Sequence, residues 1–326
     1  MLNVTAEAPA KLVLSGEYAV LFGAPAVVLA VDRRVAASVR ERTDRCCRLH
    51  ASGMDRDADF SLVEGKLVFA EPAMAGHFGL AAAVIERLGL PPGGVDLDID
   101  SRALYAGGRK LGLGSSAAVC VALGKALAAA SGIALELTSL VEVHRQAQGG
   151  RGSGVDIAAA WHSGLLSVTT SSGMPTVDHL SIPGDVALRI VDTGVPASTA
   201  RMLAELQAWR GADVRAGAAL QALGEAARDA EEAWRAGAGE RATRGYAAAL
   251  ERFDAASGLG IVSSEHRQLA ALAEMAGVAY KPSGAGGGDV GVAVAADPAR
   301  LAAFDEAAAA AGFATYPAVQ SPAEAA

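Results

Sequence analysis

The sequence predicts an α+β chain in which helices pack on sheets, and its 326 residues suffice for a sizeable core in one large domain or two ordinary ones. Three observations point that way. Hydrophobic residues make up 52% of the chain but aromatics only 5%, with Ala dominant, a composition that suits helices packed on a sheet. A continuous apolar run at 26–31, followed by a β-rich stretch at 35–40, reads as a buried sheet built early. Long runs of helical period then fill the chain from 197 to 276.

The elements are read in order. Residues 2–6 and 11–14 are short strand-like segments on either side of Ala8-Pro9-Ala10. Lys11 stands in the second of these, where a lysine ordinarily snorkels to solvent. Its other reading is a charge aimed at an anion or a reacting hydroxyl. Gly16 and Gly23 mark turns around a short helix or extended piece. Residues 41–75 are mixed, with a strand expected at 66–69. His77 to Leu88 has helical spacing and ends at Leu90-Pro91-Pro92-Gly93-Gly94. Val95 to Asp100 alternates strictly, so Asp96, Asp98 and Asp100 share the wet face of a half-buried strand, where a solvated face is the better reading than a metal site.

The stretch richest in chemistry is Lys110-Leu111-Gly112-Leu113-Gly114-Ser115-Ser116-Ala117-Ala118, which runs straight into an alanine-rich helix to 130. Glycines on both sides of Leu113 let the backbone reach positive φ or approach a ligand closely. Ser115 and Ser116 fall where a first helical turn has unpaired N–H groups and the positive end of the dipole, a ready phosphate site. Lys110 adds a full charge. Gly112-x-Gly114-x-x-Ala117 also fits a dinucleotide fingerprint, but the approach Tyr105 to Lys110 is a polar turn where that fold needs a hydrophobic strand. A Walker loop would end in Gly-Lys-Ser/Thr, and this one ends Gly-Ser-Ser-Ala.

A second helix spans Leu135 to Gln148, after a cap at Ser131-Gly132. The turn Gly149 to Gly154, which contains Ser153, leads into Val155-Asp156-Ile157. Asp156 is either a helix-start carboxylate answering the dipole or a carboxylate held close to a reacting hydroxyl. Strands are expected at 164–169 and 187–192, and a domain boundary near Pro183-Gly184, giving domains 1–183 and 184–326. Helices follow at 197–209, 214–235, 240–256 and 264–276. Ser198 and Thr199 open the first of them and can cap it or bind an anion. Between two strand-like runs lies Ser283-Gly284-Ala285-Gly286-Gly287-Gly288-Asp289, far denser in glycine than a hairpin turn needs, which suggests backbone lying flat against a ligand. Glycines 286, 288 and 291 satisfy Gly-x-Gly-x-x-Gly, but a strand follows, so that match is spurious. A helix at 298–311 and an edge strand at 313–317 close the chain, with a frayed tail from Gln320.

The net charge of −8 argues against non-specific nucleic-acid binding, which rests on phosphate neutralisation by Lys and Arg. Cys46, Cys47 and Cys120 form neither a disulfide framework nor a metal pattern, so reduced thiols and the cytosol are expected. Neither a signal peptide nor an 18-residue apolar run is seen, so no membrane association is expected.

Lys11 to Val20, Lys110 to Ala118 and Ser283 to Gly291 together resemble the three motifs of the GHMP superfamily, small-molecule kinases acting on galactose, homoserine, mevalonate and phosphomevalonate. Gly112 to Ala118 is that family's most specific signature, and the motifs span nearly the whole chain. Three details resemble the branch whose acceptor is itself a phosphate, phosphomevalonate: Lys110 two residues before the loop glycine, His144 to Gln148 leading into Gly-Ser-Gly-Val-Asp, and Asp289 where mevalonate kinases carry another glycine. Mevalonate kinases also place a magnesium-binding glutamate 11 residues before the catalytic aspartate, a position held here by Arg145.

The resemblance implies a two-domain GHMP kinase fold: a ribosomal protein S5 domain 2-like N-terminal domain, a ferredoxin-like C-terminal domain and an active site in the cleft between them. It implies ATP with Mg²⁺ as cofactors and a small-molecule acceptor, in a monomer or homodimer. Lys11 and Asp156 match the family's catalytic pair. Lys110, Gly112, Leu113, Gly114, Ser115, Ser116 and Ala117 would hold the nucleotide, with Ser115 or Ser116 touching the metal or the β-phosphate. Ser153, Ser198, Thr199, Ser283, Gly284, Ala285, Gly286 and Gly287 would face the acceptor.

Overall fold

A computed structural model describes residues 2–52, 56–150, 152–171, 173–182 and 186–322. The expected boundary at Pro183-Gly184 lies outside these residues. The chain divides into two interleaved compact units, the first Met1–Ala10, Arg33–Arg109 and Gly114–His162, the second Lys11–Asp32, Lys110–Leu113 and Ser163–Ala326.

Strand β1 (Asn3–Ser15) and strand β2 (Ala26–Arg42) pair with each other, and each has residues in both units. The two segments expected around Ala8-Pro9-Ala10 are therefore one strand. Among the described residues β1 pairs with no strand but β2, and a strand with a single strand neighbour accommodates Pro9, which has no N–H to donate. Likewise 26–31 and 35–40 are a single strand, its first six residues buried and its later ones alternating.

The first unit continues with β3 (Cys47–Ala51), β4 (Arg56–Val63) and β5 (Lys66–Phe69), then α1 (Ala75–Leu88) and β6 (Gly94–Asp100). β6 lies antiparallel to β2 and parallel to β3, and β3, β4 and β5 follow as an antiparallel meander. Val95, Leu97 and Ile99 point into the core, while Arg42 holds Asp96 at 2.7 Å and Arg102 holds Asp100. The three acids are thus on the strand's outer, half-buried face, as the alternation predicts, and two of them are answered by arginine. A two-residue hairpin, β7 (Tyr105–Ala106) and β8 (Arg109–Lys110), stands where a polar turn is expected. Helices α2 (Ser115–Ser131), α3 (Leu137–Ala147) and α4 (Val155–His162) complete the unit. α2 is buried almost all round, through Ala117, Ala118, Val121, Ala122, Leu123, Ala126 and Leu127, because its small side chains let α1, α3 and α4 all pack against it.

The second unit carries β9 (Leu165–Ser171), antiparallel to residues 26–29 of β2, and β10 (Met174–Leu180), antiparallel to β9. β11 (Ala187–Asp192), α5 (Thr199–Ala212), α6 (Ala216–Arg235), α7 (Gly239–Ser257), α8 (Ser264–Met275), β12 (Ala279–Pro282), β13 (Val290–Ala295), α9 (Pro298–Ala310) and β14 (Ala314–Pro317) follow. The second sheet is antiparallel in the order β12-β13-β11-β14, so β14 is an edge strand as expected. Strand, helices, strand, strand, helix, strand is the ferredoxin-like order. Leu269, Ala273, Leu301, Phe304 and Ala308 from α8 and α9 pack with Val191, Tyr280 and Ala293 of that sheet. The tail is pinned further than expected: the Ser321 amide donates to Ala30 O at 2.8 Å, and Gln320 bridges Val31. No helix among the described residues is long and apolar enough to cross a membrane.

Candidate active site

In the second unit, three sequence-distant segments meet around the C-terminal part of β1, Lys11 to Ser15. The Lys11 amide donates to Leu113 O at 2.9 Å, joining β1 to the second glycine-rich segment. Gly112 has φ 70°, and a Cβ there would stand 2.5 Å from Cβ of Asp289, so no other residue fits without moving the third segment. Ser283 turns inward: its hydroxyl donates to Val13 O at 2.9 Å and accepts from the Val13 amide at 3.0 Å. The Lys11 Nζ lies 3.7 Å from where a Cβ on Gly284 would be.

Much of the glycine density in 284–288 answers the protein's own backbone. Gly286 has φ 73°, and its missing Cβ would be 2.5 Å from Ile261 O. The Gly287 amide donates to that same carbonyl at 2.8 Å, and the Gly284 amide donates to Glu17 Oε1 at 3.3 Å. Tyr18 donates its hydroxyl to Ala285 O. Glu17 in turn forms a fully buried ion pair with Lys281. Burial pulls the Lys281 ammonium below its ordinary range, and Glu17 pushes it back up.

His266 holds the far end of this segment. Its Nε2 donates to Gly288 O at 3.1 Å, so its Nδ1 accepts from the Tyr280 hydroxyl at 2.8 Å. Burial pushes its pKa from 6.5 down to about 4, the Gly288 bond opposing the shift. The unfolded chain takes up this proton near 6.5 and the native state near 4. The stability this neutral imidazole carries is complete above the higher value and is lost as pH falls to the lower one, about 3 kcal/mol in all. His266→Gln keeps a donor and an acceptor but cannot titrate. Its stability should fall less steeply than wild type between those values, as measured by denaturant unfolding across pH.

In the first unit, a second group of predicted residues gathers at the start of α2. Gly114 is its N-cap in the left-handed region at φ 75°. The amides of Ala117 and Ala118 donate back to Gly114 O at 3.1 and 3.2 Å. Those of Ser115 and Ser116 come earlier, in the turn where helix geometry supplies no i−4 carbonyl. The helix-start anion geometry expected from the sequence is present. The Ser116 hydroxyl lies 3.0 Å from His144 Nε2, which also lies 3.2 Å from Gln148 Nε2. Burial lowers the His144 pKa, and Asp156 acts in the opposite sense, so the ring is neutral near pH 7 and can accept from Ser116. Asp156 is half-buried in the first turn of α4. Arg145, at the position of the magnesium-binding glutamate of mevalonate kinases, donates to Gly152 O at 3.2 Å and so helps hold the turn into α4.

Other predicted residues are placed less tellingly. Lys110 is exposed on β8. Ser198 caps α5, accepting from the Arg201 amide at 3.3 Å, and Thr199 is the exposed first residue of that helix. Ser153 lies beside the start of α4, its hydroxyl 3.4 Å from the Val155 amide. Among the described residues no group of three His, Cys, Asp or Glu side chains could hold a metal ion. Sequence reasoning passed over Glu17 and Lys281, whose only local signal is a charge beside apolar or Gly residues, and His266, which stands in a run of polar residues and carries no local signal.

The glycine-capped start of α2 and the joining of the three segments are the geometry against which known proteins were compared. The family profile for the GHMP kinases N terminal domain matches residues 77–164. A phosphomevalonate kinase of Streptomyces sp. (strain CL190) is 31% identical over 90% of this chain and 90% of its own length. The chain belongs to the GHMP kinase superfamily. A mevalonate kinase of Aeropyrum pernix is 29% identical over 60% of this chain and 58% of its own. In structure, the Streptococcus pneumoniae phosphomevalonate kinase in complex with phosphomevalonate and AMPPNP superposes with a TM-score of 0.77 and 20% identity, covering 97% of this chain and 100% of that one. The fold is the α+β GHMP kinase fold throughout the chain.

Proposed function

We propose that this ATP-dependent kinase transfers the γ-phosphoryl group of ATP to the phosphate of phosphomevalonate, giving diphosphomevalonate and ADP in the cytosol. The observation that carries the choice of acceptor is the likeness to the Streptomyces phosphomevalonate kinase, which extends over 90% of both chains. The likeness to the archaeal mevalonate kinase covers only 60% of this chain. Arg145 also stands where an alcohol-phosphorylating relative was expected to carry a metal-binding carboxylate.

In this reading the amides of Ser115 and Ser116 cradle the nucleotide phosphates at the positive end of α2. Gly112, Leu113, Gly114 and Ala117 shape that turn, and Lys110 adds charge. Mg²⁺ would arrive on the nucleotide, held mainly by phosphate oxygens with the Ser116 hydroxyl beside it, which suits a chain offering no carboxylate cage among its described residues. Phosphoryl transfer asks the protein for alignment and charge stabilisation. Lys11 supplies charge against the transferred group. The acceptor phosphate is already ionised near neutral pH, its second pKa being about 6. Asp156 therefore orients more than it deprotonates. Ser153, Ser198, Thr199 and the segment Ser283 to Gly287 face the acceptor. With the Ser283 hydroxyl on Val13 and the Gly284 and Gly287 amides on Glu17 and Ile261, that segment contributes a fixed backbone surface beside the Lys11 ammonium.

The test is ADP release by purified protein with Mg-ATP and, separately, phosphomevalonate, mevalonate, homoserine and galactose. Phosphomevalonate alone should be consumed. Turnover of mevalonate with phosphomevalonate left untouched overturns the reading.

A further inference from the structure

Asp289 is a half-buried, non-glycine residue in the left-handed region, with φ 55°. Its amide, its carbonyl and one carboxylate oxygen tie one short turn in place. Its amide donates to Val195 O at 2.6 Å. Its carbonyl accepts from the Thr193 amide at 3.0 Å and from the Thr193 hydroxyl at 2.8 Å. Its carboxylate Oδ1 accepts from the Ala197 amide at 3.0 Å. The same side chain lies over Gly112, at the position a Cβ there would need. One residue thus fastens the turn 193–197 to the glycine-rich segment on one side and to Gly112 on the other.

That turn ends at Ser198, the N-cap of α5, whose hydroxyl accepts from the Arg201 amide at 3.3 Å. The Ala197 amide is the last backbone donor before the cap. Where it is held decides where Ser198, Thr199 and the first turn of α5 stand. A carboxylate accepting from a backbone amide makes a strong, charge-assisted bond. The left-handed backbone at 289 also suits Asp or Asn better than most side chains, because their short polar groups tolerate it.

We propose that Asp289 is a positioning residue for the acceptor: its carboxylate clamps the 193–197 turn and so sets the start of α5 against the glycine-rich segment. The proposal rests on the assignment of Ser198 and Thr199 to the acceptor under the function above. The clamp acts on the start of α5, so its main effect falls on acceptor affinity; the same side chain also packs on Gly112, through which ATP affinity responds to a smaller extent.

Two variants separate the side chain from the backbone. Asp289→Gly keeps the left-handed conformation accessible and deletes the clamp. Asp289→Asn keeps a carbonyl oxygen that can accept from Ala197. For Asp289→Gly, the KM for the acceptor should rise about tenfold, the worth of one good hydrogen bond, with kcat within about twofold of wild type and the KM for ATP moving by less than that for the acceptor. Amide exchange over residues 195–200, followed by hydrogen–deuterium mass spectrometry without any substrate, should quicken in the same variant. Asp289→Asn should restore both. Unchanged exchange in Asp289→Gly overturns the clamp, and faster exchange with an unchanged acceptor KM overturns its role toward the acceptor. An Asn variant as impaired as the Gly variant shows that charge, not the bond to Ala197, is what counts, and also overturns it. If the wild-type protein ignores phosphomevalonate, the functional reading falls by itself. The kinetic arm then uses whichever acceptor is consumed, and the exchange measurement, which needs none, decides the clamp.

Discussion

Lys11→Met and Asp156→Asn each lower kcat by about a hundredfold or more, the usual cost of removing a preorganised charge from a reacting group. Both should do so without unfolding the protein. Lys11 contributes to the fold through its backbone, whose amide donates to Leu113 O at 2.9 Å whatever the side chain. Its ammonium is only half-buried, so a methionine of similar length fills the space. Asp156→Asn keeps shape and hydrogen-bonding length and removes one negative charge from the first turn of α4, a dipole contribution of about 1 kcal/mol or less. Turnover measured with saturating Mg-ATP, alongside thermal melting, separates chemistry from folding. An Asp156→Asn protein with near-wild-type kcat removes Asp156 from the mechanism. A Lys11→Met protein that has lost both activity and melting cooperativity assigns Lys11 to structure instead.

The two residues differ in how far the sequence alone could carry them. Each had an ordinary explanation that was locally sufficient, a snorkelling lysine and a helix-start carboxylate, and only the three-motif resemblance favoured the other reading. Strands with plain alternation, such as β6, were legible residue by residue, and so was α2 with its glycine cap at Gly132. β3 and β4 were not, because the mixed stretch 41–75 shows no clear alternation and their pairing comes from neighbours elsewhere in the sheet. The continuity of β1 across Pro9 was hidden by a residue that is usually a breaker, tolerated here because β2 is the one strand paired with β1 among the described residues.

At the site, the glycines of 284–288 announced close backbone approach but could not say to what. Part of the answer is Ile261 O, a carbonyl more than 20 residues earlier. Ser283 opens that segment, and its hydroxyl bonds to Val13, 270 positions away in sequence. Partners that distant leave no periodicity behind. The residues that fasten the glycine-rich segment are accordingly the ones a linear reading overlooks, and the most deeply buried of them yields the second large effect.

Breaking the Glu17–Lys281 pair should cost more stability than any other single change near the site. Lys281 is 1% exposed and Glu17 5% exposed, so neither charge has water to fall back on. The ammonium donates to Glu17 Oε1, to Val13 O at 3.4 Å and to Pro282 O at 2.5 Å. Glu17 Oε1 also accepts from the Gly284 amide, and the Tyr246 hydroxyl donates to Glu17 O at 2.7 Å. Lys281→Met leaves the Glu17 carboxylate in place with only that amide, while Glu17→Gln leaves the ammonium on two carbonyls. Either variant strands a buried charge, a loss of about 3–5 kcal/mol that should lower the melting temperature by roughly 10 °C. Glu17→Gln combined with Lys281→Met strands none. If the pair is coupled, the double variant melts well above the sum of the two losses, by a coupling energy of about 1–3 kcal/mol. Strict additivity would mean that each residue acts on its own surroundings and that the ion pair does not tie the turn after β1 to β12. Because Glu17 also positions Gly284 beside Lys11, the coupled case carries a kinetic mark as well. At temperatures where both single variants are still folded, Glu17→Gln should lose more kcat than its stability change alone would explain.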